Sequence, residues 1–332
     1  MKAILRRPEI ITLLLLLIAF GISAVGTPSF LDARYLLKIS SPHMEIGVMA
    51  LAMTFVIISG NIDLSVASGL ALIVVCSARL FEAGVPMQWV MVLAILMGII
   101  LGLFNGLLIT KLGLPSLTVT LGTLALYRGL AQRLLGDRSI GNFPSWFVRV
   151  DNVKAFGLIP APLIIFLVLA LIFGIILHKM VFGRCVYAIG TNEPGARFSG
   201  LQVDRAKLSI FVLSGLMMAV GALMMMSRLA IARFDHAPGY ELSVITAVVL
   251  GGTDIFGGRG SIIGTVLALF LLMIVQQGMI LQGISAETQL TVTGSLLVVS
   301  VILANLTGKL STRTPAPKRP AANPSGGELK HA

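Results

Sequence analysis

The sequence predicts an all-α, polytopic membrane protein of about ten transmembrane helices, and three observations carry that expectation. Of the 332 residues, 56% are hydrophobic and 12% charged, with a mean hydropathy of +0.96, far outside the range of water-soluble domains. Apolar runs approaching the ~20 residues that a hydrocarbon core of roughly 30 Å requires recur along the whole chain. Lys and Arg gather in the short connectors between these runs, the usual mark of loops on the cytoplasmic side. Residues 1–306 therefore read as one transmembrane unit, with no room for a soluble domain of useful size.

The first run, residues 9–26, follows a basic head, a pattern shared with secretory signal peptides. Its apolar part lacks a clean small-residue cleavage site before Thr27 and Pro28, so it reads as a retained first helix. Further spans are expected near 44–59, 65–81, 88–110, 115–131, 161–178, 206–227, 241–256, 261–282 and 288–306. Two of them, the short Gly/Thr-rich 115–131 and 241–256 with its terminal glycines, are candidates for re-entrant half-helices. Basic residues before the first span (Lys2, Arg6, Arg7), in the connector 179–207 (Lys179, Arg184, Arg197, Arg205, Lys207) and after the last span (Lys309, Arg313, Lys318, Arg319) must share the cytoplasmic side. Six spans before the connector and four after it satisfy that requirement, because both numbers are even. The outside connector 132–160 carries Arg133, Arg138, Arg149 and Lys154 against the rule, softened by its length and by Asp137 and Asp151. Residues 307–332, rich in Pro, Ala, Ser and Gly, are expected to form a disordered cytoplasmic tail.

Polar groups interrupt the apolar runs at a few places. In "FVIISGNIDLSVASGLALIVV", Phe55 to Val75, the small residues Ser59, Gly60, Ser65, Ser68 and Gly69 permit an unwound turn, and Asn61 and Asp63 bring polar groups that hydrocarbon penalises. Asp63 at such a turn either caps the following helix through free backbone amides or touches a translocating solute. "VLGGTDIFGGRGSIIGTVLA", Val249 to Ala268, again sets an acid, Asp254, in a glycine-rich break, consistent with an internal duplication. Gly257, Gly258 and Gly260 with Arg259 imitate a phosphate loop, but the Lys-Ser/Thr ending is missing. Asn105, Gln276 and Gln277 lie within apolar spans, and Thr118, Thr120, Thr123 and Tyr127 share one short span. Such groups either bond between helices or line a pathway for a sugar-like solute.

Several classes are excluded. The net charge of +11 sits in the connectors and does not mark a nucleic-acid binder. Cys76 and Cys185 lie in different settings and imply neither a disulfide framework nor a zinc site. His43, His178, His236 and His331 show no ligand spacing, and there is no serine elbow, Cys–His pair or acid pair within one span. No metal, cofactor or catalytic residue is expected.

The connector holds the best-defined local motif, "FGRCVYAIGTNEPGARFSGLQVDRAK", Phe182 to Lys207. Asn192 suits a helix N-cap, Pro194 is tolerated in a first turn and Gly200 is a natural stop, so Glu193 to Ser199 reads as about two helical turns. Glu193 and Arg197 are then i,i+4 neighbours in the favourable order, on an element suited to docking.

Taken in order, "SGNIDLSVASG", "LPSLTVTLGTLALYRG", "FGRCVYAIGTNEPGARFSGLQV" and "AVVLGGTDIFGGRGSIIGTVLA" resemble the permease subunits of bacterial ABC importers of the ribose, xylose and arabinose class, over about residues 35–305. The resemblance implies an inner-membrane chain, both termini cytoplasmic, that pairs with a second permease, with ABC ATPase subunits and with a periplasmic sugar-binding protein, in the lipid bilayer. It implies that Asn192, Glu193, Ala196, Arg197 and Gly200 form the ATPase-coupling segment, and it leaves Asn61, Asp63, Ser65 and Asp254 as helix-break or pathway residues. Asn61 and Ala67 stand where that family usually has glycine. Asn61 and the "LYRG" ending at Leu126 to Gly129 look like the branch of paired permeases for rhamnose or autoinducer-2, which suggests a heterodimer with a paralogue, a homodimer being the alternative.

The rival class is a proton-coupled secondary carrier of a small polar solute, and an intramembrane enzyme ranks third. Such a carrier needs titratable groups deep in the bundle. Glu45, Asp63, Glu82, Asp254 and Glu287 are all expected near span ends, which disfavours it.

Overall fold

The computed structural model describes residues 8–26, 28–148, 153–155 and 157–311. It is almost entirely helical, and each of the ten expected spans has its helix. These are α1 (Pro8–Gly26), α2 (Ala33–Ile58), α3 (Val66–Glu82), α4 (Met87–Lys111) and α5 (Ser116–Leu135), then α7 (Ala161–Lys179), α10 (Val203–Leu229), α11 (Tyr240–Leu250), α12 (Ile262–Leu281) and α13 (Ala286–Ser311). Between α5 and α7 lie the short α6 (Ser145–Val148) and a small antiparallel pair, β1 (Lys154–Ala155) and β2 (Ile159–Pro160). The connector between α7 and α10 holds α8 (Val181–Thr191) and α9 (Glu193–Phe198). Six helices, α1, α2, α4, α7, α10 and α12, are long and apolar enough to cross a membrane. The expected tail beyond Thr307 lies outside the described residues, apart from the end of α13.

Helix α2 is the axis of the bundle. It packs against α7, α10, α11 and α12, and every residue from Met44 to Ile58 is buried. An apolar surface all round suits that position. By contrast α4 and α7 bury one stripe and expose Leu96, Ile100, Leu171 and Ile175, as helices bordering lipid do. Helix α1 runs along α12, and the Thr12 hydroxyl donates to the Leu250 carbonyl at the end of α11.

One expectation is corrected, and the two half-helix candidates part ways. Helix α2 begins at Ala33, eleven residues before the expected 44, because the polar run at its start satisfies itself: Asp32 caps Arg34, the Ser40 hydroxyl returns to Leu37, and His43 Nδ1 meets the Ile39 carbonyl. Glu45 therefore lies well inside the bundle and not near a span end. Helix α5 has 20 residues, long enough to cross, though it is not among the six helices that are also apolar enough. Helix α11 has only 11 residues, about 16 Å of rise against a core of roughly 30 Å, and 241–256 does not span as one helix.

The tightest crossing joins α4 to α10. Gly98, Gly102 and Gly106, spaced by four, bring α4 against Phe211, Gly215 and Ala219 of α10. A Cβ at Gly102 would fall on the Phe211 carbonyl oxygen. Backbone cannot rotate away as a side chain can, so Gly102→Ala is expected to part the helices at an overpacking cost of about 1–3 kcal/mol. Gly174→Ala, with nothing near the added methyl, should be silent. Folded yield after detergent extraction measures both, and equal yields would refute the assignment of this contact as tight.

Candidate functional site

Two helix breaks and the connector form one assembly. In the first break α2 ends in a left-handed glycine, Gly60 at φ +76°, whose amide bonds the Ile57 carbonyl while the Asn61 amide bonds that of Val56. This is the Schellman arrangement, and it removes two orphan carbonyls. The second break repeats it: Gly252, at φ +88°, bonds Val249 and Thr253 bonds Val248. An aspartate follows each glycine and accepts from the amide two residues on, Asp63 from Ser65 and Asp254 from Phe256, both at 3.0 Å. The similarity read from small residues thus extends to backbone geometry.

Asp63 goes further than a local cap. It is completely buried, and its Oδ1 also accepts the Ser65 hydroxyl at 2.6 Å while Oδ2 accepts Ser214 of α10 at 2.8 Å. Ser65 in turn accepts from Asn105 of α4 at 2.9 Å, and the Tyr127 hydroxyl of α5 donates to Asn105 at 3.3 Å. Thr120 and Ser116 of α5 hold the carbonyl and the amide of Ile62. One carboxylate and its partners therefore tie the first break to three helices, as full hydrogen-bond satisfaction of a buried polar group requires.

The breaks meet. The Gly258 amide donates to the Ile58 carbonyl, the last of α2, at 2.8 Å. Helix α8 ends on that junction. Its Tyr187 hydroxyl donates to the Gly260 carbonyl at 2.7 Å, and Gly190 touches both Ile58 and Gly258 so closely that a Cβ there would overlap the Ile58 carbonyl oxygen.

Helix α9 follows at once and is built as its sequence predicts. Asn192 Oδ1 accepts from the Gly195 amide at 3.0 Å, Pro194 sits in the first turn, and Gly200 closes the helix at φ +82° with its amide on Arg197 and that of Leu201 on Ala196. Buried Ala196 packs with Ile189 and Val203. The expected Glu193–Arg197 pair forms, and each residue also has a second, closer partner. Arg197 meets Asp204 at 2.7 Å and Lys207 meets Glu193 at 2.6 Å, while Glu193 to Arg197 is the loosest contact at 3.6 Å. The i,i+4 pair is thus part of a clamp that fastens α9 to the start of α10. The hydrogen bond and charge of Asp204 raise the Arg197 pKa above its ordinary value. Phe198 at the end of α9 is 93% exposed.

The remaining candidates separate. Asn61 turns its amide back on Ser59. Asp254 stays within its own loop. Gln276 bonds His43 of α2 at 3.1 Å and Thr293 of α13 at 3.4 Å, and Gln277 bonds Tyr35 at 2.8 Å, so these amides tie helices together. Neither they nor Asn105 and Thr120 line the cavity bordered by Ser68, Leu124, Arg128, Phe234, Asp235 and Glu241.

Sequence reading missed Arg128, Ser214 and the buried pair Glu45–Arg228, a two-pronged contact of 2.7 and 3.1 Å. A charged residue inside an apolar run was the available signal for each of the charged three. Ser214 gave none. Because Glu45 lies deep but is neutralised by Arg228, its depth does not favour a proton carrier.

A bundle organised around glycine breaks and a docked connector defines a membrane-embedded permease. The family model described as "Branched-chain amino acid transport system / permease component" matches residues 35–301, and the chain belongs to that family. Among its relatives are the autoinducer 2 import system permease protein LsrD of Escherichia coli (strain K12) and that of Shigella flexneri. Each is 39% identical over 292 residues, covering 86% of this chain and 87% of the relative. The protein of the same name from Enterobacter sp. (strain 638) is 39% identical over 299 residues, 88% of this chain and 91% of its own. No solved structure matches.

Proposed function

We propose that this chain is the permease subunit of an ATP-driven ABC importer that carries a sugar-like solute inward, with an autoinducer-2-like furanosyl compound favoured over rhamnose or ribose by the names of its relatives. The observation that carries the coupling role is the seating of α8 and α9 on the junction of the two breaks through the Gly258–Ile58 bond, the Tyr187–Gly260 bond and the Gly190 contact. A partner ATPase pressing on α9 then moves both breaks together. The chain performs no hydrolysis itself. A second permease, favoured as a paralogue, completes the pathway, a periplasmic binding protein delivers the solute, and both termini face the cytoplasm.

Phe198 is the side chain best placed to enter an ATPase cleft, since it is exposed at the end of α9. Phe198→Ala is expected to leave the level of folded permease unchanged and to weaken ATPase binding by about 2 kcal/mol, roughly 30-fold, as truncation of an aromatic anchor does. Arg197→Glu, which sets a second acid beside Asp204, should also leave the bundle folded and lower ATPase co-purification severalfold. The experiment is co-purification and ATP-driven uptake with the ATPase, the binding protein and the candidate second permease reconstituted together. Wild-type coupling in both variants would move the docking surface elsewhere, and uptake driven by a proton gradient without the ATPase would overturn the import reading.

A further inference from the structure

A cavity of about 350 Å³ lies between α3, α5 and the loop from α10 to α11. It is within the roughly 300–1,000 Å³ of small-molecule sites. Arg128 enters it from α5, about 18 Å from the start of that helix by the 1.5 Å rise, a depth at which an unused charge is costly. The guanidinium is only half spent. Nη1 donates to the Phe234 and His236 carbonyls at 2.7 and 2.9 Å, and among the described residues Nε and Nη2 have no hydrogen-bond partner. Glu241, at the start of α11, lines the same space, and its charge and that of Arg128 attract each other without forming a direct ion pair among the described residues. Donors and a carboxylate held apart across a gap, with Leu124 and Phe234 among the wall residues, suit a neutral molecule that carries hydroxyls on one side and C–H groups on the other.

The cavity also reaches the coupling network. Ser68, which borders it, donates to the Ser65 carbonyl at 3.0 Å, and Ser65 is the direct partner of Asp63.

We propose that this cavity is a transient binding site for a small, neutral, polyhydroxylated solute, which Arg128 and Glu241 bracket and Phe234 packs against. The inference rests on the import reading above. It is tested in proteoliposomes holding the complete complex, with D-ribose, L-rhamnose and autoinducer-2 as probes. Arg128→Gln and Glu241→Gln are expected to lower ATP-driven uptake at least tenfold while basal ATP hydrolysis and ATPase co-purification stay at wild-type values. Because Arg128 also holds the loop, a second arm uses Leu124→Cys on the cavity wall in a chain with Cys76 and Cys185 replaced by serine. A small aqueous thiol reagent should block uptake, and an excess of the transported probe should slow the labelling at least fivefold. If the wild-type complex takes up none of the three probes with ATP, the import reading fails for this solute class and the inference with it. If the wild type transports but the probe leaves labelling of Leu124→Cys unchanged, the cavity is not a solute site, whatever Arg128→Gln does to folding. Wild-type uptake by both polar variants would overturn it equally.

Discussion

Gly190→Ala is expected to uncouple ATP hydrolysis from uptake almost completely. The added Cβ would land on the Ile58 carbonyl oxygen and 2.5 Å from the Gly258 nitrogen, the two atoms on either side of the bond that joins the breaks. Both neighbours are backbone, so no rotamer relieves the clash. Either the connector lifts from the junction or the Gly258–Ile58 bond opens, at an overpacking cost of about 1–3 kcal/mol. This lies within the stability of a membrane bundle, so the permease should still be made and extracted as a folded protein. What is lost is the contact that the proposed coupling route from α9 to the breaks requires. The measurement is the ratio of solute taken up to ATP hydrolysed, with Gly294→Ala, where nothing stands within 4 Å, as the control. An unchanged ratio for Gly190→Ala would remove the junction from the coupling route.

Asp63→Ala should be the most damaging single change to the fold of the first break. It strips the acceptor from the Ser65 amide, the Ser65 hydroxyl and the Ser214 hydroxyl in a site with no exposure. Each buried donor left without a partner costs about 1–3 kcal/mol, so even partial relaxation leaves a loss comparable to a large core truncation. Asp63→Asn keeps one carbonyl oxygen for Ser65 and can reorient its amide toward a serine oxygen, and its effect should be milder. Ser214→Ala, which removes only one donor, should be milder still. Thermal unfolding of the purified permease and its level in the membrane give the order expected: alanine at 63 worst, then asparagine, then alanine at 214. If both Asp63 variants matched the wild type in stability yet failed in uptake, direct contact with the solute would be the better account of this carboxylate.

Much of this was readable from the chain. Apolar length located the ten helices because each must satisfy its own backbone in lipid. The caps of α9 were legible because Asn192, Pro194 and Gly200 act on the few residues beside them. Both breaks were visible as glycines beside an acid. Their contact was not, since Ile58 and Gly258 are 200 positions apart and nothing local marks the pairing. The start of α2 was lost because Ser40, Pro42 and His43 look like a loop until their bonds to the preceding turn are seen. The further partners of Glu193 and Arg197 were missed for a related reason. Spacing along one short helix identifies neighbours on that helix, whereas Asp204 and Lys207 arrive from the next one. Polar amides such as Gln276 can bond across helices or face a pathway with the same sequence signature, and only packing distinguishes the two.

Helix α10 has a consequence for how force crosses this protein. Its first turn is clamped to α9, its middle carries Ser214 against Asp63, and its last turn carries Arg228 against Glu45 just before the loop that borders the cavity. With 27 residues it is about 40 Å of unbroken helix, and the glycine crossing with α4 sits partway along it like a fulcrum. A rotation of roughly 10° about that crossing moves each end by about 3–4 Å over its arm of about 20 Å. On the proposed import reading, a push of a few ångströms at the connector would reach the loop beside Arg128 as a displacement of similar size and opposite direction, carried by one continuous helix.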